Sequence, residues 1–250
     1  MTLTLPYRRI ARPFNNPNGS YIDCDIQNCY LTDHDYAPDR TSAIRSYHEI
    51  ERDFLRIFEY IEPHDSNLHT YSTRLYEVFL RAATEFESHS KAILEANSYV
   101  RSGDWKMSDY KKIDNATLLS SYKIKLPIWS GSPKILQPFA PWAYGRSLSW
   151  YQNYNTVKHN RATEFAKANF ANTLESVAAL FVILYAQFNL LSFSPFEVVW
   201  INHTDDHWIS HRDSVFSIQL PTTWKLEQCY GFDSTNLSQL NPKFAVFRFS

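Results

Sequence analysis

Glycine is scarce in this sequence, and so are the sulfur-bearing residues: 250 residues hold 5 Gly, 3 Cys and 2 Met. There is no G-x-G-x-x-G, no Walker-type phosphate loop, no G-x-S-x-G elbow and no H-E-x-x-H. Nucleotide-driven and ordinary hydrolase chemistry are therefore not supported. Cys24, Cys29 and Cys229 are odd in number and form no C-x-x-C pair, so neither a disulfide framework nor a zinc knuckle is indicated. A reducing, cytoplasmic compartment is expected. At the N-terminus, MTLTLPYRRIARP, the adjacent arginines follow the short apolar stretch, which is the reverse of a secretory signal. The most apolar run, residues 177–188 (VAALFVILYAQF), is shorter than the roughly 18–20 residues that span a bilayer. A buried helix is expected there, with no membrane partner.

Apolar residues make up 44% of the chain and include 7 Trp, 16 Tyr and 17 Phe, enough for a large core of rigid, interlocking rings. The formal net charge is −1, which argues against wholesale binding of polyanions. Its distribution is uneven, however. Residues 115–163 contain Lys123, Lys125, Lys134, Arg146, Lys158 and Arg161 and no acidic residue. Such a run either meets phosphate groups or forms a solvated basic face.

The periodicity predicts a mainly α-helical chain with a small antiparallel sheet contributed by the N- and C-terminal segments. Residues 1–37 alternate in short pieces, with Leu3, Leu5 and Tyr7 on one and Ile22, Cys24 and Ile26 on another. From residue 39 the period becomes helical and stops at Pro63. A second helix, with Ser66 or Asn67 as cap, follows the stripe from Leu68 to Leu94. A weaker helix is expected over 109–122, an irregular crossing loop over 125–141, and another helix over 147–159. The most apolar helix should cover 165–188, with Asn160 as a left-handed terminator and Thr163 as N-cap. Residues 197–202, 215–220 and 243–249 read as strands. No repeat or linker divides the chain, so the expectation is one composite domain over 1–250, with a helical core at 38–190 and β-containing extensions at 1–37 and 195–250.

The densest polar cluster is W-Y-Q-N-Y-N-T-V-K-H-N-R, residues 150–161. Helical spacing places Asn155, Lys158 and His159 near one another, above Tyr151. The imidazole is the side chain whose ordinary pKa lies nearest neutrality, so His159 can move protons while Lys158 and Arg161 hold a phosphate. The plainer alternative is that these cations meet the negative end of the helix dipole and its free carbonyls. YNTVKHNR followed by TEFAKANFANTLESVAALF resembles the C-terminal part of HEPN-domain proteins, over about residues 40–188 and most specifically over 150–184. The resemblance implies a helical bundle that dimerises and, in active members, a metal-independent ribonuclease that needs no cofactor. Their motif is R-[polar]-x-x-x-H. Asn155 and His159 match it, but Tyr154 stands where the Arg belongs. The missing guanidinium must then be replaced by Lys158, Arg161 or Arg146, and lysine lacks the bidentate fork.

Three other features carry chemistry. His203, His207 and His211, with Asp205 and Asp206, have ligand-like spacing for a divalent ion if helical, whereas a hairpin leaves them as turn residues; no metal is the expectation. Glu85 and His89 are either an acid–base pair that can join His159 or an exposed i,i+4 pair. Trp142, Tyr144, Trp150 and Tyr151 either stack on bases or pack the bundle. The expected function is an RNA-directed, HEPN-like protein of defence or toxin type. In it His159, Asn155, Lys158 and Arg161 would act on a phosphodiester, Arg146, Tyr151 and Tyr154 would contact RNA, and a homodimer would bring two copies together. The alternative is a non-catalytic helical interaction or dimerisation module.

Overall fold

Helix α1 (Arg40–Ile57) forms where the helical period begins, burying Ile44, Tyr47, Ile50, Phe54 and Ile57 along one stripe. The computed structural model describes residues 1–15, 28–189, 201–203, 208–211 and 214–250, with backbone alone at 201–203 and 211. Helix α2 (Thr73–Ala96) starts later than expected, because Ser72, not Ser66 or Asn67, accepts from the Leu75 N–H at 3.2 Å. The residues before it are occupied elsewhere. Leu68 and Thr70 accept backbone hydrogen bonds from Ala171 and Phe170 at 3.0 and 2.8 Å, tying this lead-in to the start of helix α8 (Phe170–Phe188).

Among the described elements α2 and α8 pack against each other most extensively, and from Thr173 onward only Glu175 of α8 escapes burial. By length and composition α8 could cross a bilayer, yet 83% of its apolar window lies inside the protein, as in a core helix. Neither Asn160 nor Thr163 plays its expected part. Asn160 is not left-handed, residues 161–167 form the short α7 (Arg161–Glu164) and a 3-10 turn, and Asn169 caps α8 by accepting from Asn172 N–H. The helix expected over 109–122 is broken into α3 (Met107–Lys111), α4 (Asp114–Thr117) and a 3-10 turn. Leu118, at φ +54°, cannot continue a right-handed helix. Next along the chain are α5 (Ala140–Ala143) and α6 (Ser149–His159).

The small antiparallel sheet runs β2-β1-β5-β4-β3, from β1 (Lys123–Lys125), β2 (Ile135–Leu136), β3 (Ile201–His203), β4 (Ile209–His211) and β5 (Ser217–Gln219). Ile124 lies opposite both Leu136 and Ile218, and Ile218 opposite Ile209. The N-terminal expectation needs correction: the sheet takes its first two strands from the middle of the chain. Residues 1–15 contribute only isolated bridges, among them Leu3 to Tyr230 and Tyr7 to Ala245. Pro6 and Pro13 lack ladder donors, and Arg9 turns the backbone at φ +58°. Residues 243–249 likewise form a bridge, not a strand. Their alternation instead sets Phe247 and Phe249 against the core. The expected pieces around Ile22, Cys24 and Ile26 and over 197–200 lie outside the described residues.

Two polar clasps hold the periphery to the core. Buried Glu51 on α1 accepts from Tyr47 Oη at 2.8 Å, Ser214 Oγ at 2.8 Å and Val215 N–H at 3.0 Å, fixing the approach to β5. Arg12 donates to the Ala116 carbonyl at 2.8 and 3.0 Å and to that of Gln228 at 3.2 Å, joining the first segment to the middle and last ones. Tyr230, fully buried, donates to the Ile10 carbonyl at 2.7 Å. One apolar cluster runs from Ile10 to Phe244.

Candidate functional site

The stripe Tyr151, Asn155, Lys158 and His159 repeats at i, i+4, i+7 and i+8, which puts it on one face of α6. That face forms one wall of an open cleft of about 630 Å³. Glu87 and Lys91 from α2, residues 103–107 and Tyr110 complete the lining. Helix α6 is anchored by Trp150, Tyr154 and Val157, which are buried on its other side.

Glu87 organises the floor. Its Oε1 accepts from Tyr151 Oη at 2.5 Å, and its Oε2 lies 3.4 Å from Tyr154 Oη and 3.9 Å from Lys158 Nζ. Lys158 Nζ donates to Tyr154 Oη at 3.1 Å. That hydrogen bond, against a smaller cost of burial and with help from the Glu87 charge, raises the lysine's pKa, so it stays cationic at any physiological pH. Burial and the Glu87 hydrogen bond push Tyr151 well above the usual phenol range, so its proton stays on oxygen. The lip is held by Asp109, which accepts from Lys106 N–H at 2.9 Å and Tyr99 Oη at 2.8 Å. Burial alone would raise this carboxyl; the two hydrogen bonds and the Arg101 charge outweigh it and hold the pKa below the usual value. Gly103, at φ +83°, makes the turn that brings Trp105 and Lys106 to the rim.

Of the residues expected at the site, His159, Asn155, Lys158 and Tyr151 come together. His159 is exposed, with no hydrogen-bond partner among the described residues, and Lys158 turns to Tyr154 rather than to helix-end carbonyls. Carbonyl capping therefore does not describe this cluster, although Lys158 and His159 do stand in the last turn of α6, at the negative end of its dipole. Arg161 does not join it: the chain reverses after Asn160, and the guanidinium lies 4.5 Å over the Tyr76 ring and 5.5 Å from Phe165. Arg146 is exposed beside Tyr144 and outside the cleft lining. Tyr154, 1% exposed, cannot meet RNA and instead supports Lys158 from below.

The basic run disperses. Lys134 pairs with Asp65 at 2.9 Å, and Lys125 lies over Trp208. Trp142 and Trp150 pack around Phe86 in the core, while Tyr144 is exposed. Glu85 and His89 are not an exposed pair, since His89 is 4% exposed, and they do not line the cleft. Glu85 accepts from Ser46 Oγ of α1 at 2.9 Å, so this pair looks away from His159. Residues 203 and 211 lie in an antiparallel pair, opposite Ile209 and Ile201, so helical ligand spacing does not apply. Their side chains and all of His207 are outside the described residues, among which no group of metal-binding side chains occurs.

Glu87, Lys91, Trp105 and Lys106 were not singled out from the sequence. The i,i+4 spacing of Glu87 and Lys91 was the available signal, but it is shared by Glu85 and His89. No family model, curated protein or solved structure matches this chain.

Proposed function

We propose that the chain is an RNA-directed, HEPN-like protein and that its cleft binds single-stranded RNA for metal-independent cleavage. The observation that supports this reading is the shared opening: His159, Asn155 and Lys158 line one cleft with Lys91 and Lys106. An exposed imidazole beside fixed cations meets the chemical need of phosphodiester transesterification. The 2′-oxygen forms its bond to phosphorus as the bond to the 5′-oxygen breaks. The His159 ring takes the 2′-hydroxyl proton and returns it to the departing 5′-oxygen. Lys158 neutralises the phosphate, and Asn155 orients the ring or the phosphate.

The test uses the purified full chain, short single-stranded RNAs, and EDTA in half of the reactions. Cleavage indifferent to EDTA is expected, with His159→Ala slower by about 100-fold or more. Arg161→Ala, outside the cleft, should stay close to the unaltered rate. A second reading, a non-catalytic interaction module, draws support from Tyr154: the motif's guanidinium position holds a buried phenol committed to Glu87 and Lys158. Absence of cleavage under every condition, together with stable self-association, favours that reading.

A further inference from the structure

A cleft that served phosphate alone would have no use for a carboxylate in its floor. Glu87 is nevertheless there, with its side chain 15% exposed among the lining residues. A carboxylate offers about four acceptor sites. Tyr151 takes one on Oε1 at 2.5 Å, whereas among the described residues Oε2 has only Tyr154 at 3.4 Å and Lys158 at 3.9 Å. Acceptor capacity is left over on a charge that repels phosphate.

A ligand suited to this arrangement brings N–H donors to the floor and its phosphate to the lysines. The accessible apolar part of the lining, Trp105 and Met107, suits an aromatic base between those two ends. Buried Tyr110 backs the Trp105 ring, the two lying 17° from parallel with centroids at 6.2 Å.

Base chemistry narrows the choice. Guanine presents two adjacent donors, N1–H and the 2-amino group, which match the two oxygens of one carboxylate. Uracil presents a single N–H between two carbonyls, both repelled by Glu87. Adenine and cytosine present an amino group next to a ring-nitrogen acceptor, so only one of their two edge atoms is matched.

We infer that the cleft selects guanine, with Glu87 accepting hydrogen bonds from its N1–H and 2-amino group. This rests on the RNA-directed reading above and adds base specificity to it. Glu87 is a specificity-determining residue; the phosphate contacts belong to the lysines.

The test measures binding of guanosine, inosine and uridine monophosphates to the unaltered full chain by calorimetry, then repeats it with Glu87→Gln. Guanosine monophosphate is expected to bind about tenfold or more tightly than the uridine nucleotide. Inosine monophosphate, which lacks only the 2-amino group, should fall between them. Glu87→Gln should bring the guanosine-to-uridine ratio within about twofold, by weakening guanosine monophosphate binding and relieving the repulsion of the uracil carbonyls. The nucleotide series on the unaltered chain does not depend on how well the variant folds. Equal binding of guanosine and uridine nucleotides overturns guanine selection and leaves the RNA-directed reading standing. A ratio that persists in Glu87→Gln overturns the role given to Glu87, and no binding of any nucleotide overturns both readings.

Discussion

Replacing Phe86 with alanine is expected to lower the free energy of unfolding by about 3–5 kcal/mol, a loss read from the midpoint of urea denaturation at unchanged slope. Phe86 is fully buried and sits among the rings of Trp150 at 5.3 Å, Phe139 at 5.5 Å, Tyr110 and Tyr151 at 6.1 Å, and Trp142 at 6.4 Å. Truncation removes apolar surface and leaves a cavity walled by stiff aromatics that cannot collapse into it. Two of those rings, Tyr110 and Tyr151, also line the cleft. Nucleotide binding should therefore weaken in the same variant even where it remains folded. Phe86→Leu, which refills much of the volume, should recover most of both losses; a stability close to the unaltered chain in Phe86→Ala would contradict the packing described.

The second large effect is a dependence on pH. Burial first, and the Arg9 charge second, hold the His89 pKa down at about 3. Glu85 Oε2 is 3.7 Å from Nε2, too far for a hydrogen bond, and neither ring nitrogen has a hydrogen-bond partner among the described residues. The folded protein therefore requires neutral imidazole, while the unfolded chain takes up a proton near pH 6.5. The sign follows from linkage: stability is full above pH 6.5 and falls by about 1.4 kcal/mol for each pH unit below it, until the pH nears the folded value. At pH 4.5 the loss is about 3 kcal/mol. His89→Leu removes the titration and two unsatisfied ring nitrogens, so it should match or exceed the unaltered stability at pH 7. Its advantage should widen steadily on acidification. Parallel curves for the two proteins between pH 7 and 4.5 would rule out this account of His89.

Those elements whose own residues specify them were legible in the sequence. The apolar run at 177–188 announces α8, and the stripe from Ile44 to Ile57 announces α1. Periodicity also brought Asn155, Lys158 and His159 onto one face of α6. What resisted reading was set by partners distant in the chain. Glu85–His89 and Glu87–Lys91 have identical spacing, and only the packing of α2 between α1 and α6 buries His89, turns Glu85 to Ser46 and leaves Glu87 and Lys91 lining the cleft. Strand β1 pairs with β5, nearly a hundred residues away, so no local pattern reveals it. Residues 243–249 alternate as a strand does, but alternation describes one buried side and says nothing of ladder partners. Arg161 lies two residues past the end of α6, where helical spacing no longer fixes its direction, and its guanidinium packs on Tyr76 and Phe165.

The bridges from Leu3 to Tyr230 and from Tyr7 to Ala245 have a consequence for biosynthesis. Ribosomes add roughly 5–20 residues per second, so Leu3 and Tyr7 must wait roughly 10 to 50 s for bridge partners that lie so far along the chain. Until then Tyr7 lacks the rings of Tyr230 and Phe247 and stays open to nascent-chain chaperones, even though Arg9 and Ala11 beside it can already reach Asp39 and Ala186.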